Sequence, residues 1–236
     1  MAFFAISDLH LPGGSVKPMD VFGEHWSGHF EKISSDWRGR VTAEDVVLLP
    51  GDFSWAMALK DARADLDAVG ALPGKKVILR GNHDYWWSAI GRVRDALPEG
   101  MYAVQNDCVE LCGRVICGTR GWTMPGEQTA AEDVKIYRRE LLRLEMTLKD
   151  ARRRAGDAPL LCMMHYPPLT DAQRDTEFTA LLEAYGVGDL VYGHLHGASL
   201  KGAFRGEHNG IRYHQVSCDG LDFKLYRLPE DAESER

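Results

Sequence analysis

The sequence predicts an α/β (α+β) fold in one domain, residues 1–236, with alternating strands and helices followed by added antiparallel strands. Three observations lead there. Short runs rich in Val, Ile and Leu recur without polar alternation, as strands buried on both faces do. Between them lie stretches whose apolar residues fall three and four apart, the period of one helix face. Beyond His196 the pattern turns to β-rich segments around Asn209-Gly210, a tight-turn dipeptide.

Taken along the chain, Phe3 to Ile6 reads as the first strand and Val46 to Leu49 as the second. Leu59, Ala62, Leu66 and Val69 then make a helix face, stopped by Pro73-Gly74. Val77 to Leu79 is a third strand, and Val104 to Leu111 and Val115 to Gly118 have the same character. From about Ala130 to Ala155, Val134, Tyr137, Leu141, Leu144, Leu148 and Ala151 share one face of a long helix. Thr129 and Glu132 have capping-box spacing at its start, and Gly156 with Pro159 ends it. Arg152, Arg153 and Arg154 fall in its last turn, where the helix dipole favours positive charge. Leu160 to Met164 and Leu190 to Tyr192 are further buried strands. Phe204, Ile211, Tyr213 and Val216 flank the Asn209-Gly210 hairpin, Phe223 to Tyr226 alternates as a last strand, and the acidic tail from Glu230 reads as flexible.

Composition bounds the function. Hydrophobic residues at 44% and charged residues at 27% are those of a soluble globular protein, and no apolar run approaches the ~20 residues that span a bilayer. The apolar start lacks a basic leader and runs into Asp8, so a cytoplasmic location is expected and no membrane partner. A net charge of -7 argues against nucleic acid as the main partner, because backbone phosphates are gripped by Lys and Arg. The five cysteines contain no CxxC pair, and Cys108, Cys112 and Cys117 read as small core residues of a hairpin-like stretch. The oligomeric state is not written in the sequence.

The chemistry lies just past the end of each buried strand. Ile6 leads into Ser7-Asp8-Leu9-His10, Leu49 into Pro50-Gly51-Asp52, and Leu79 into Arg80-Gly81-Asn82-His83-Asp84. Met164 leads into His165, and Tyr192 into Gly193-His194-Leu195-His196. In an open α/β sheet, ligands bind beyond the carboxyl ends of the strands, so these groups converge if the strands lie side by side. Apart from His83, the set is two Asp, four His and one Asn. That is too many ligands for one tetrahedral zinc and too rich in nitrogen for magnesium or calcium. Manganese, iron, zinc and nickel accept such a mixture, and two divalent ions ~3.5–4 Å apart would use all of it.

These blocks, D-x-H, G-D, G-N-H-D, a lone His and G-H-x-H in that order, resemble the calcineurin-like metallophosphoesterases. The resemblance implies a four-layer α/β/β/α sandwich of two mixed β-sheets flanked by helices. It implies that Asp8, His10 and His196 hold one metal, that Asn82, His165 and His194 hold the other, and that Asp52 bridges them. It makes His83 catalytic and not a ligand. The reaction implied is hydrolysis of a phosphodiester or phosphomonoester by in-line attack of a metal-bridging hydroxide, with His83 near the departing oxygen. Asp84 is placed to orient a neighbouring imidazole or to form a salt bridge. Asp52 is followed by Phe53-Ser54-Trp55, without the second Asp and the Arg of the Ser/Thr protein phosphatases of this superfamily. His83 stands where lipid A pathway pyrophosphohydrolases have Arg, and the chain has no room for the DNA-binding cap of repair nucleases. The pattern is most similar to the bacterial phosphodiesterase-like branch, whose expected substrate here is a small phosphate ester or a nucleotide-like one. The competing readings are a nuclease and a metal-binding scaffold without catalysis.

Aromatic residues adjoin the motifs. Trp55, Tyr85-Trp86-Trp87, Tyr166 and Trp122 could wall a pocket, with Arg120 gripping a phosphate oxygen. The plainer alternative is packing beneath the loops, favoured for Trp86 and Trp87. His25 and His29 have helical spacing but lack the Glu of a zincin, and with His208 and His214 they read as surface or packing residues.

Overall fold

In the computed structural model, which describes residues 1–14 and 19–230, the apolar runs become strands that line up in two sheets. The first sheet contains β1 (Phe3–Ala5), β2 (Val46–Leu49), β3 (Lys75–Leu79) and β4 (Met101–Val104). The second contains β5 (Cys108–Leu111), β6 (Arg114–Thr119), β7 (Leu160–Met164), β8 (Val187–Tyr192), β9 (Gly206–His208) and β10 (Ile211–Gln215). A two-residue β11 (Tyr226–Arg227) returns to the first sheet, giving the orders β11-β1-β2-β3-β4 and β5-β6-β7-β8-β10-β9. Strands β1 to β4 run parallel, as do β6, β7, β8 and β10, while β11, β5 and β9 are antiparallel edges. Both sheets are therefore mixed.

The two sheets face each other. Phe3, Ala5, Val46, Leu48, Val77 and Leu79 from one meet Ile116, Leu161, Met163 and Val191 from the other in a single apolar layer. The alternate residues face outward under helices, which is why the strands carry no polar face. Ile33 and Trp37 of α1 (His29–Arg40), Leu66 and Val69 of α2 (Arg63–Gly70) and Val93 of α3 (Ile90–Ala96) cover the first sheet. Tyr137, Leu144 and Leu148 of α4 (Ala131–Ala155), with Phe178 and Leu182 of α5 (Glu177–Ala184), cover the second. The result is the helix–sheet–sheet–helix sandwich. No helix among the described residues is long and apolar enough to cross a membrane.

Several local expectations change. The run from Val104 to Leu111 is not one strand: a turn with Asn106 at φ 59° passes the chain from the first sheet to the second. Thr129 does not cap α4; its hydroxyl accepts from Gly126 N at 2.7 Å, and the cap position is Ala130, with no side-chain bond. A capping box forms instead at Thr176 and Thr179 of α5. Leu59 precedes α2, and His25 belongs to a 3-10 turn separate from α1. The hairpin is as expected, with positive φ at both Asn209 and Gly210. Arg152 uses its guanidinium on the carbonyls of Gly156, Ala158, Tyr185 and Gly186, tying the turn after α4 to the turn between α5 and β8. All five cysteines are free. The acidic tail lies outside the described residues beyond Glu230.

Candidate metal centre

Because β1, β2, β3, β7 and β8 all point the same way within the paired sheets, their carboxyl ends share one edge. The backbone continues to pair past the strands. Asp8 N donates to Gly51 O and His10 N to Asp52 O, each at 3.0 Å, and Ser7 bridges across to Ser217 beyond β10. This pairing holds Asp8 (φ 60°), His10 (φ 45°) and Asp52 (φ 51°) in the left-handed region, and His194 (φ 71°) joins them from the second sheet. Non-glycine residues adopt that conformation rarely and at a cost of about 1–3 kcal/mol each. Close approach of the loops requires glycine at Gly51, Gly81 and Gly193, and a Cβ on Gly81 would overlap Asp52 Oδ1 and N. A Cβ on Gly51 would lie 2.6 Å from His165 Nδ1, and one on Gly193 would overlap Ser7 Oγ and Asp8 Oδ2.

All seven predicted ligand residues meet here. Asn82 Oδ1 lies 2.7 Å from His165 Nε2 and 2.9 Å from His194 Nδ1, and those two nitrogens are 3.2 Å apart. His165 Nδ1 is 3.0 Å from Pro50 O; a carbonyl only accepts, so Nδ1 carries the proton and Nε2 offers a lone pair. Asp8, His10 and His196 bring ligand atoms within 4.8 Å of one another, and so do Asp8, Asp52 and His165. Asp52 Oδ2 stands between the groups, 3.9 Å from His10 Nε2 and 3.5 Å from His165 Nε2. His10 Nδ1 and His196 Nε2 are buried without a hydrogen-bond partner. Lone pairs facing lone pairs and orphaned ring nitrogens suit a cation between them.

The electrostatics show the same demand for positive charge. Burial raises the Asp52 carboxyl, and the charges of Asp8 and Asp84 push it further, to about 9. Burial alone would raise Asp8 too, but the His196 imidazole, whose Nε2 stands 3.3 Å from Asp8 Oδ1, helped by the charges of His165 and His10, holds it well below the usual range. Burial drives His10 and His165 down to about 3, leaving both neutral as ligands must be. His196 is the exception. Burial would lower it, but Asp219 and Asp8 outweigh that and raise it to about 10, so a proton there serves as the local cation.

Asp219 is not visible as a site residue in the sequence. Its Oδ1 accepts from His196 Nδ1 at 2.9 Å and its Oδ2 from Gly197 N at 3.0 Å, which fixes the ring and turns Nε2 toward Asp8. It lies past the end of β10, another strand end on the same edge, and that placement is the signal that could have found it. His83 donates its backbone N–H to Asp52 Oδ1 at 2.8 Å, and its half-buried ring lies 4.6 Å from Trp55. A cavity of about 320 Å³ opens beside it, lined by His10, His83, His196, Gly197 and Asp219 together with Met19, Phe22, Trp26 and Trp55.

Three candidates lie outside the ligand set. Asp84 touches neither an imidazole nor a cation: it accepts from Phe53 N, Ser54 N and Trp86 Nε1 through Oδ1 and from Gly81 N through Oδ2. It ties the Asp52 loop to the Asn82 loop. Trp122 is separated from His194 by Tyr166, whose ring centroid is 5.0 Å from Trp122 and 4.0 Å from His194. Arg120 lies 4.5 Å from the Trp122 ring and 3.4 Å from Glu140 Oε1, one aromatic layer behind the ligands. Trp86 and Trp87 are buried, donating to Asp84 and Gln105, and pack beneath the loops. His29 bonds Leu9 O behind the Asp8–His10 loop, whereas His208 pairs with Asp175 and His214 with Asp189 away from the cluster.

The profile of the family described as calcineurin-like phosphoesterase matches residues 1–198. No curated protein matches the chain. Among solved structures, a phosphopantetheinyl hydrolase from Mycobacterium tuberculosis is similar at a TM-score of 0.55 and 17% identity, covering 100% of this chain and 98% of that one. A protein of unknown function from Aquifex aeolicus has a TM-score of 0.49 and 17% identity, covering 96% of this chain and 95% of that one. At such identity the M. tuberculosis structure is evidence of a shared fold.

Proposed function

Because the chain belongs to the calcineurin-like phosphoesterase family, we propose that it hydrolyses small phosphodiesters or phosphomonoesters at a pair of divalent cations. One observation carries the reading: seven donor residues from five strand ends meet in a space where the Asp52 carboxylate lacks countercharge and ring nitrogens lack hydrogen-bond partners. Asp8, His10 and His196 would hold one ion and Asn82, His165 and His194 the other, with Asp52 between them. When bound, two such cations neutralise phosphate oxygens and lower the pKa of a water.

The rest falls to the chain's own side chains. His165 keeps its Nε2 lone pair free because Pro50 O takes the Nδ1 proton. Asp219 does the same for His196 and balances its charge. His83 faces the cavity, so a departing ester oxygen reaches its ring there. Burial lowers the His83 pKa, so the ring is neutral at pH 7 and assists by donating an N–H to that oxygen. Losing one such hydrogen-bond donor to a developing oxyanion typically costs about 10²–10³-fold.

The test is turnover of aryl phosphodiesters, aryl phosphomonoesters and a phosphopantetheinyl substrate by purified protein given manganese, iron, zinc or nickel, with chelator as control. His83→Ala should keep two bound ions and lose most of the rate, whereas Asp52→Ala should lose the ions. A wild-type protein that binds two ions and cleaves none of these esters is the scaffold of the competing reading.

A further inference from the structure

The cavity beside His83 has a chemistry of its own. Part of its lining is Met19, Phe22, Trp26 and Trp55, and all four are apolar or aromatic. Away from the imidazoles of His10, His83 and His196, the polar groups beside it are engaged: Trp55 Nε1 donates to Met19 Sδ at 3.3 Å, and the two oxygens of Asp219 accept from His196 and Gly197. Trp55 stacks on His10 with centroids 4.7 Å apart and planes at 20°, and Trp26 packs 5.7 Å from His196, so the wall is continuous with the ligand cluster. About 320 Å³ is at the lower end of small-molecule pockets, ~300–1,000 Å³.

The apolar lining reaches the surface. Phe22, which lines the cavity, is 62% exposed, and the ring of Tyr85, 55% exposed, lies 6.4 Å from that of His83. Exposed apolar groups at an opening mark a binding surface. Sugar hydroxyls or nucleobase edges placed against Met19, Phe22 and the aromatic faces of Trp26 and Trp55 would give up water without finding partners there.

We propose that this cavity is the subsite for the alcohol half of the substrate, and that it selects phosphoesters of an apolar alkyl or aryl alcohol over those of a sugar or nucleoside. The assignment rests on the hydrolase reading above, because it places the departing oxygen at His83. The structural reason is that the side chain offered to that oxygen and the apolar wall line the same space.

Two measurements on the metal-loaded full chain test it. The first is kcat/KM for ethyl, butyl, hexyl and octyl phosphates and their methyl diesters, against glycerol phosphate and a nucleoside monophosphate. Each methylene taken into an apolar site is worth up to about 0.8 kcal/mol, so a rise of two- to fourfold per carbon is expected until the cavity is full. Phe22→Ser, an exposed position where folding should tolerate the change, should reduce the octyl-to-ethyl ratio about tenfold. Leu142→Ser, on α4 and equally exposed, should leave the ratio unchanged. The second is binding of the same chain lengths as alkylphosphonates, read by tryptophan fluorescence, since Trp26 and Trp55 form the wall. Turnover that is flat with chain length, or fastest on glycerol phosphate or the nucleotide, overturns the subsite and leaves the hydrolase standing. Absence of turnover on every ester overturns the hydrolase; phosphonate Kd values independent of chain length would then overturn the subsite separately, and values falling with length would uphold it.

Discussion

Replacing Asp84 with Asn should destabilise the protein more than it disturbs any chemistry. The carboxylate is fully buried and accepts four N–H groups, at 2.9 Å from Phe53, 3.1 Å from Ser54, 2.9 Å from Trp86 and 2.7 Å from Gly81. An amide can keep the first three on its oxygen, but its NH₂ then faces Gly81 N–H, donor against donor. Leaving a buried donor unmet costs about 1–3 kcal/mol, and the three surviving bonds lose their charge assistance. The sum is roughly 2–5 kcal/mol, a large part of the 5–15 kcal/mol typical of a folded domain. Urea unfolding in chelator at pH 7 measures it as a lower midpoint at unchanged slope. Metal affinity should fall as well, because Asp84 ties the loop carrying Asp52 to the loop carrying Asn82. A loss below about 0.5 kcal/mol, with activity strongly reduced, would refute this account and return Asp84 to an imidazole-orienting role.

Three further outcomes are expected of the cluster. In metal-free protein, Asp52 has a folded-state pKa of about 9 against an ordinary value of 3.8, so the fold holds an extra proton between those values and loses stability as pH rises through them. Asp52→Asn should therefore melt above wild type at pH 8 in chelator, with the gain vanishing near pH 4 and the order reversing when manganese is added. Asp219→Asn should lower the His196 pKa from about 10, because one of its two carboxylate partners loses its charge; a histidine NMR titration of metal-free protein checks this. Gly193→Ala should push Asp8 from its place through contact with Asp8 Oδ2, costing about 1–3 kcal/mol and weakening cation binding at Asp8 and His196, read by calorimetric titration with manganese.

The strands are legible because two-sided burial forces continuous apolar runs: Val46–Leu49 and Leu160–Met164 are buried at every position. The same runs announce their own ends, which is why seven ligand candidates can be found without coordinates. Three helices leave no comparable trace. α1 buries only Ile33 and Trp37, α3 only Val93, and α5 buries only Phe178, Thr179 and Leu182, two apolar positions four apart. Asp219 is hidden for another reason: its relevance depends on β10 lying next to β8, a pairing no local pattern encodes. Met19, Phe22 and Trp26 reach the cavity from 3-10 turns, where spacing carries little information about direction. Asp84 is misleading because it is adjacent in sequence to His83 yet points into the loops beneath.

The price of this edge explains its purpose better than its packing does. Asp8, His10, Asp52 and His194 hold left-handed backbones, together roughly 4–12 kcal/mol of strain. Asp52 carries a carboxyl raised by burial and by two neighbouring carboxylates, and His10 and His165 are buried rings that cannot protonate near neutral pH. A cluster selected for stability alone would place apolar side chains at these positions and relax the backbone. Instead the parallel pairing of the 8–11 and 51–54 segments, the Asp84 hub and the Ser7–Ser217 bridge hold the strained residues in place. Rigidity of that kind lowers the reorganisation needed when a cation enters, since the donors already stand near their final positions. It also links binding to folding: a cation that relieves the carboxylates and the orphaned nitrogens stabilises the native chain by RT ln(1 + [L]/Kd), about 2.7 kcal/mol at one hundred times Kd. The strain is thus borne by the sandwich, and a bound cation would answer the charge it gathers.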